Sequence, residues 1–405
     1  MKTASAPNTI AADFTERKSC RACDSKTLMQ VLPLGNQTLP RFTDTNVEVI
    51  PAAPLNLVQC GTCGLLQLAH TVNPDSLFRE YWYRSSINQS MRDALKDVVA
   101  GALEFVDSGC WLDIGANDGY LLSQVPNDFA KVACEPALTF KDELDGEADL
   151  VIPDYFTKGN FVRTSAAKPT VITSCAMFYD LEDPTRFVSD IAEVLDRDGV
   201  WINQLNDAPT MMEANAFDSI CHEHLTYWGL GQLHDLYRKC GMKIVKIERN
   251  DVNGGSVRVY AVHSKRPIKE AHESLFTNVT RGTALRFADR VHNWKTATSE
   301  ILRAEVNRRG PVWGYGASTK AGTLLQFLDE PYCFHAVADR NPLKHGKYMA
   351  TRLKIVSEDE LRARAPKMVV PFIWAFRKEI LERERDIRDM GTTMFFVLPN
   401  PELVL

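Results

Sequence analysis

Two residue patterns in this chain carry chemistry in their types and spacing. The first is a pair of cysteine couplets, Cys20-Arg-Ala-Cys23 and Cys60-Gly-Thr-Cys63, with 36 residues between them. Four thiolates close a tetrahedral Zn²⁺ site and leave no open coordination position, so the expected role is structural. A redox couplet would follow a strand in a thioredoxin-like pattern, which is missing here. The second pattern is "FDSICHEHLTYW" at 217–228, where His222 and His224 flank Glu223 in a chain with nine histidines. Zinc-protease helices space their histidines four apart. A spacing of two on a helix points the rings roughly 200° apart, and only an extended segment would aim them the same way. On its own the stretch reads as a metal site, an acid–base site or polar surface. The bracket of Phe217, Ile220, Leu225 and Trp228 turns it inward.

Elements must position these groups. With 405 residues, two or three domains are expected. A net charge of −5 and a pI near 6.0 suggest no nucleic-acid partner and no anionic-membrane surface. No run of about 18 apolar residues predicts a membrane span, and the first 20 residues lack the apolar core of a secretion signal. Residues 1–16 read as a loose tail. Four of the ten cysteines sit in the couplets and six are scattered singly, which suits a reducing cytoplasm.

Three segments follow. Residues 1–75 form the expected small zinc-binding domain, with strands around Leu28–Leu34 and Leu55–Leu57. Residues 76–308 alternate apolar strands with helical stretches, the pattern of a parallel α/β sheet, and end in a connecting helix over 275–308. Residues 309–405 repeat the pattern. In the second segment, "CWLDIGANDGYLLSQV" reads as strand, glycine turn and helix, and a second strand ends at Glu135, twenty residues after Gly115. Glycines let the backbone approach a ligand, and an acid at the end of the second strand accepts ribose hydroxyls. The spacing is D-x-G-x-x-x-G rather than G-x-G-x-x-G. It resembles the first motif of class I S-adenosylmethionine-dependent methyltransferases. That resemblance places Asp113, Gly115 and Asn117 around the methionine moiety and Glu135 on the ribose. The third segment opens "GPVWGYGASTKAGTLLQFL", where the turn at Gly316, Ser318 and Lys320 enters a helix and offers backbone N–H groups to a phosphate.

Taken together, "YWYRSS" (81–86), "LDIGANDG", "FDSICHEHLTYW", "NGGSVRVY" (253–260) and "GYGASTKAGTLLQ", with the couplets, resemble the sugar C-methyltransferases that build branched deoxysugars on nucleotide carriers. The likeness spans nearly the whole chain. It implies a class I methyltransferase Rossmann-like core, a small N-terminal zinc-binding domain, a C-terminal Rossmann-like lobe for substrate or nucleotide, and an active site between them. It implies His224 as general base, with Glu223 orienting or balancing the imidazole and Tyr81 and Tyr227 donating to an enolate oxygen. Tyr83, Ser85 and Asn253 would approach the substrate, a nucleotide-diphosphate sugar. The chain departs from the pattern at Cys221, Asn253 and Ala375, where members often carry tyrosine, histidine and a polar residue; these positions bear on which sugar is used. The expected activity is C-methylation of a nucleotide-linked keto-deoxysugar by a cytoplasmic monomer or homodimer. The competing readings are an O- or N-methyltransferase and a non-catalytic nucleotide-sugar binding protein.

Overall fold

A computed structural model describes residues 9–405 apart from 166 and 329. Its centre is a seven-stranded sheet built from β1 (Gly109–Ile114), β2 (Phe129–Cys134), β3 (Leu150–Ile152), β4 (Val171–Cys175), β5 (Val200–Asn206), β6 (Met242–Asn250) and β7 (Ser256–His263), in the order β3-β2-β1-β4-β5-β7-β6. The first five strands are parallel. The last two form an antiparallel hairpin that slots β7 against β5. The sequence reading anticipated the parallel part and not this reversal. It arises because β6 and β7 are joined by the short turn 251–255, too short for a crossover helix, so only antiparallel pairing is open to them.

Side chains along β1 alternate between two cores. Trp111 packs on one face with Leu95, Val98 and Phe129. Cys110, Leu112 and Ile114 pack on the other with Val132, Ile172 and Trp201. That two-sided burial is what a sheet covered by helices requires. Each such fully buried aliphatic side chain contributes about 1.5–3 kcal/mol. The helix Gln89–Leu103 supplies one cover through Met91, Leu95, Val98 and Ala102, at helical spacing.

The C-terminal lobe is a six-stranded sheet of β8 (Val312–Tyr315), β9 (Phe334–Asp339), β10 (Ile355–Ser357), β11 (Met368–Pro371), β12 (Thr393–Phe396) and β13 (Glu402–Val404), ordered β10-β9-β8-β11-β12-β13. Only β13 runs antiparallel to its neighbour. A long helix, Arg281–Arg309, joins the two sheets. It buries Phe287, Val291, Trp294 and Leu302, while Leu285 is exposed.

The N-terminal domain is a sheet in which Leu28–Thr38 and Ile50–Cys60 pair antiparallel, both longer than their apolar runs suggested. The supposed loose tail is partly built into it. Thr9–Ala11 pairs with Ile50–Ala52, and Phe14–Glu16 with His70–Val72; residues 1–8 lie outside the described residues. The far edge of this sheet is supplied from the central domain: Thr226–Tyr227 pairs antiparallel with Leu66–Gln67. Among the described residues, no helix is long and apolar enough to cross a membrane.

Candidate active site

The four cysteine sulfurs converge. Their Sγ atoms all lie within 4.8 Å of one another, with Cys20 to Cys63 and Cys23 to Cys60 both at 3.6 Å. Four sulfurs around one ion at about 2.3 Å sit roughly 3.8 Å apart, so the cluster has the dimensions of a tetrahedral zinc site. The cluster is locked to the central domain. Gln232 Nε2 donates to the Cys63 carbonyl at 3.1 Å, and Arg21, beside Cys20, pairs with Glu182 at 2.9 Å. Among the described residues this is the single group of three or more His, Cys, Asp and Glu side chains gathered tightly enough for a metal.

The histidine stretch is therefore not a metal site. Its two rings part company. His222 is buried, with Nε2 3.1 Å from the Ala53 carbonyl of the N-terminal domain. His224 turns into a cavity of about 670 Å³ that all three parts of the chain line. Its Nδ1 lies 2.8 Å from the Ser219 carbonyl. A carbonyl only accepts, so Nδ1 carries the hydrogen and Nε2 keeps its lone pair. Tyr179 lies against the ring with centroids 4.3 Å apart. Burial, and then the Lys320 ammonium, push the His224 pKa down to about 3.

Glu223 does not orient this imidazole; the Ser219 carbonyl does. Glu223 instead accepts from the Thr319 hydroxyl of the C-terminal lobe and from the Cys221 thiol at 3.7 Å. Burial pushes its pKa up to about 7. Tyr227, expected to reach an enolate oxygen, is turned away. Its hydroxyl donates to the same Ser219 carbonyl at 3.4 Å, behind His224 and outside the main cavity. Tyr81 does line that cavity, facing Glu223 and Asp180.

The cofactor motif is arranged around the turn after β1. Gly115 sits at φ +73°, and Gly115, Asn117 and Glu135 line the cavity. Asp113 does not. It is buried in the sheet, where the Thr173 hydroxyl donates to it at 2.7 Å, and burial raises its pKa to about 7. Asp113 precedes the last residue of β1 and shares the face of Trp111, two residues away, so it points into a layer covering the sheet rather than out of the strand's end. The Asn117 side chain is engaged within the protein: its Nδ2 donates to the Tyr83 carbonyl at 3.0 Å, and its Oδ1 accepts from Ser85 N–H and hydroxyl. Tyr83 and Ser85 thus form a strap tied over the turn, both lining the cavity.

The C-terminal turn completes the wall with Gly316, Ser318 and Lys320. Part of the turn read as a phosphate seat is engaged within the chain. Ser318 Oγ caps the helix Thr319–Leu328 by accepting from Ala321 N–H at 3.2 Å, and Glu223 already brings an anion to Thr319. Lys320 Nζ donates to the Asn253 carbonyl at 3.3 Å. Asn253 stands at φ +55° in the β6–β7 turn, and its neighbour Gly254 packs so close to Trp374 that a Cβ would lie 2.6 Å from the indole.

Three family models match the chain in series: a "Putative zinc binding domain" at residues 20–78, a "Methyltransferase domain" at 83–247 and a "C-methyltransferase C-terminal domain" at 251–399. The chain is 27% identical over 413 residues to C-methyltransferase NovU of Streptomyces niveus, covering 95% of this chain and 96% of that one. The chain belongs to the S-adenosylmethionine-dependent C-methyltransferase family. Two solved methyltransferase structures each resemble less than half of this C-methyltransferase. An S-adenosylmethionine-dependent methyltransferase from Clostridium acetobutylicum is 11% identical, with TM-score 0.34 over 42% of this chain and 92% of that one. The N-methyltransferase NodS of Bradyrhizobium japonicum is 9% identical, with TM-score 0.36 over 44% and 90%.

The C-methyltransferase has residues that fit its cofactor. Each Glu135 oxygen accepts one backbone N–H, from Asn117 and Ala137, both at 2.8 Å. Each oxygen keeps a second lone pair for a ribose hydroxyl, and burial raises the Glu135 pKa, making such donors welcome. Sequence reasoning missed Tyr179 and Asp180, which follow β4. The available signal was their place just past the C-terminal end of a parallel strand, where open α/β sheets bind ligands.

Proposed function

We propose that this C-methyltransferase methylates a ring carbon of a nucleotide-linked keto-deoxysugar through an enolate. The observation that carries the reading is the His224 ring, which lines the cavity that also holds Gly115 and Glu135 and is held as the Nδ1–H tautomer, leaving the Nε2 lone pair unclaimed by a protein donor. S-adenosylmethionine, when bound, supplies an electrophilic methyl group. The remaining work falls to the chain. His224 takes the proton from the carbon beside the carbonyl, and the Ser219 carbonyl steadies the resulting imidazolium. Ionised Glu223 in the same cavity balances that new charge, which Lys320 opposes. Tyr81 faces the developing enolate oxygen. Tyr83, Ser85, Asn253, Gly316, Ser318 and Lys320 form the walls that receive the sugar and its carrier and shut out water.

The test uses the zinc-loaded protein, an isotopically labelled methyl donor and thymidine-, uridine-, guanosine- and cytidine-diphosphate keto sugars. The expected product carries the label on carbon by NMR. His224→Gln should lose about 10²- to 10⁴-fold in turnover and stop deuterium uptake at that carbon while still binding cofactor. A label found on oxygen or nitrogen, or exchange untouched by the substitution, would sink the proposal.

A further inference from the structure

Beside Glu223 the catalytic cavity holds a carboxyl, Asp180, that the mechanism above does not use. Asp180 ends the short turn Phe178–Asp180 that leaves β4. It lines the cavity together with Glu223, Tyr81 and Tyr179. Its Oδ1 is shut off from solvent and has no hydrogen-bond partner. Among the described residues no lysine, arginine or histidine forms an ion pair with it, although 29 such contacts occur elsewhere.

The titratable groups that share charge interactions with Asp180 are acids, Tyr227 among them, while His224 and Lys320 line the same cavity without pairing with it. Glu223 comes from the histidine stretch, Cys221 lies two residues before it, Tyr81 belongs to the strap, and Tyr179 is its own neighbour. A carboxylate in such a place has neither a counter-ion nor enough donors to hold its charge, and the cheaper state is the neutral acid. Burial first, and the Glu223 charge second, drive its pKa well above the ordinary value. Two neighbouring carboxyls hold their protons unequally: of Asp180 and Glu223, Glu223, with Thr319 and Cys221 donating to it, is the one equipped to ionise. A protonated carboxyl is a donor as well as an acceptor.

We propose that Asp180 enters the reaction as a neutral carboxylic acid whose O–H donates a hydrogen bond to the carbonyl oxygen of the acceptor, so that the enolate charge develops against it. This rests on the enolate reading of the preceding subsection. It also fills the place left by Tyr227, whose hydroxyl is committed to Ser219. The proton count is simple. The C–H electron pair moves into the enolate, the proton passes to His224, and Asp180 keeps its own throughout.

The decisive variant is Asp180→Asn, which has the size of the acid and its donor and acceptor but cannot ionise. Asp180→Ala removes the donor. With the zinc-loaded protein and a thymidine-diphosphate 4-keto-6-deoxyhexose as probe, D180N should stay within about fivefold of wild type and D180A should fall by about 10²- to 10³-fold. Cofactor binding should be unchanged in both. D180N as impaired as D180A would mean the ionised form is needed and would overturn the assignment, as would full activity in both. A second measurement needs no turnover: the infrared difference spectrum of wild type minus D180N at neutral pH should show one protonated-carboxyl stretch beyond those that Asp113 and Glu223 contribute to both proteins. Identical spectra would overturn the proposal. A wild-type protein that shows the band but methylates no carbon would instead count against the enolate reading alone.

Discussion

Glu223 offers a perturbation whose size can be worked out. Its pKa rises from an ordinary 4.5 to about 7 because the carboxyl is buried, with only Thr319 and Cys221 donating to it. An acid whose pKa is higher folded than unfolded supports the fold when protonated. That support is complete below pH 4.5 and is lost as pH rises through about 7. At 1.36 kcal/mol per pH unit the loss is about 3 kcal/mol. Glu223→Gln cannot ionise and should escape it. Urea unfolding of the two proteins at pH 5 and pH 8 should show the gap between them widening by about 2.5 kcal/mol in favour of the variant, the rest of the loss having occurred below pH 5. Activity should move the opposite way. If the ionised carboxylate balances the imidazolium, wild-type kcat/KM should fall about tenfold per pH unit below pH 7, and E223Q should be slow at every pH. His224, with its pKa near 3, adds no limb above pH 4. The assay is transfer of a labelled methyl between pH 5.5 and 8.5. An acid limb centred near 4.5, or one that survives unchanged in E223Q, would refute the reasoning.

Other outcomes follow from the same geometry. Cys60→Ser should abolish stoichiometric zinc, lower the melting temperature and stop methyl transfer, because the domain it closes pairs directly with the catalytic stretch; metal analysis and calorimetry check this. Glu135→Ala should weaken S-adenosylmethionine binding about 10²- to 10⁴-fold, two hydrogen bonds to a charged group being lost, and should lower the melting temperature because the Asn117 and Ala137 N–H groups lose their acceptor; titration and scanning calorimetry read the two effects. Gly254→Ala, at φ +90° and 2.6 Å from Trp374, should raise KM and cost about 1–3 kcal/mol in stability, measured by steady-state kinetics and urea unfolding.

The cysteine couplets were legible because a ligand set is defined by residue type, and type is what a sequence states. The glycine turn after β1 was legible because Gly115, Gly119 and Glu135 are local to one strand–turn–strand unit. Side-chain direction was not. Tyr227 and Asp113 have suitable chemistry, but the Ser219 carbonyl and the Thr173 hydroxyl claim them. No spacing rule reveals such partners. The partners met at the Ser318–Lys320 turn were hidden for a related reason: the Glu223 carboxyl that Thr319 meets there stands nearly a hundred residues away in the chain. The β6–β7 reversal depended on a loop length that reads equally well as a turn inside a longer crossover.

The edge that Thr226–Tyr227 adds to the N-terminal sheet has a consequence for biosynthesis. While the ribosome is still making the middle of the chain, Leu66–Leu68 presents unpaired amides, a template for strands of other nascent chains. The native closing strand arrives only after most of the central domain has been synthesised. Long-range pairings of this kind fold late. Maturation of the catalytic loop is thereby tied to completion of its neighbour, and a chain stalled before residue 226 carries a sticky border that chaperones must shield.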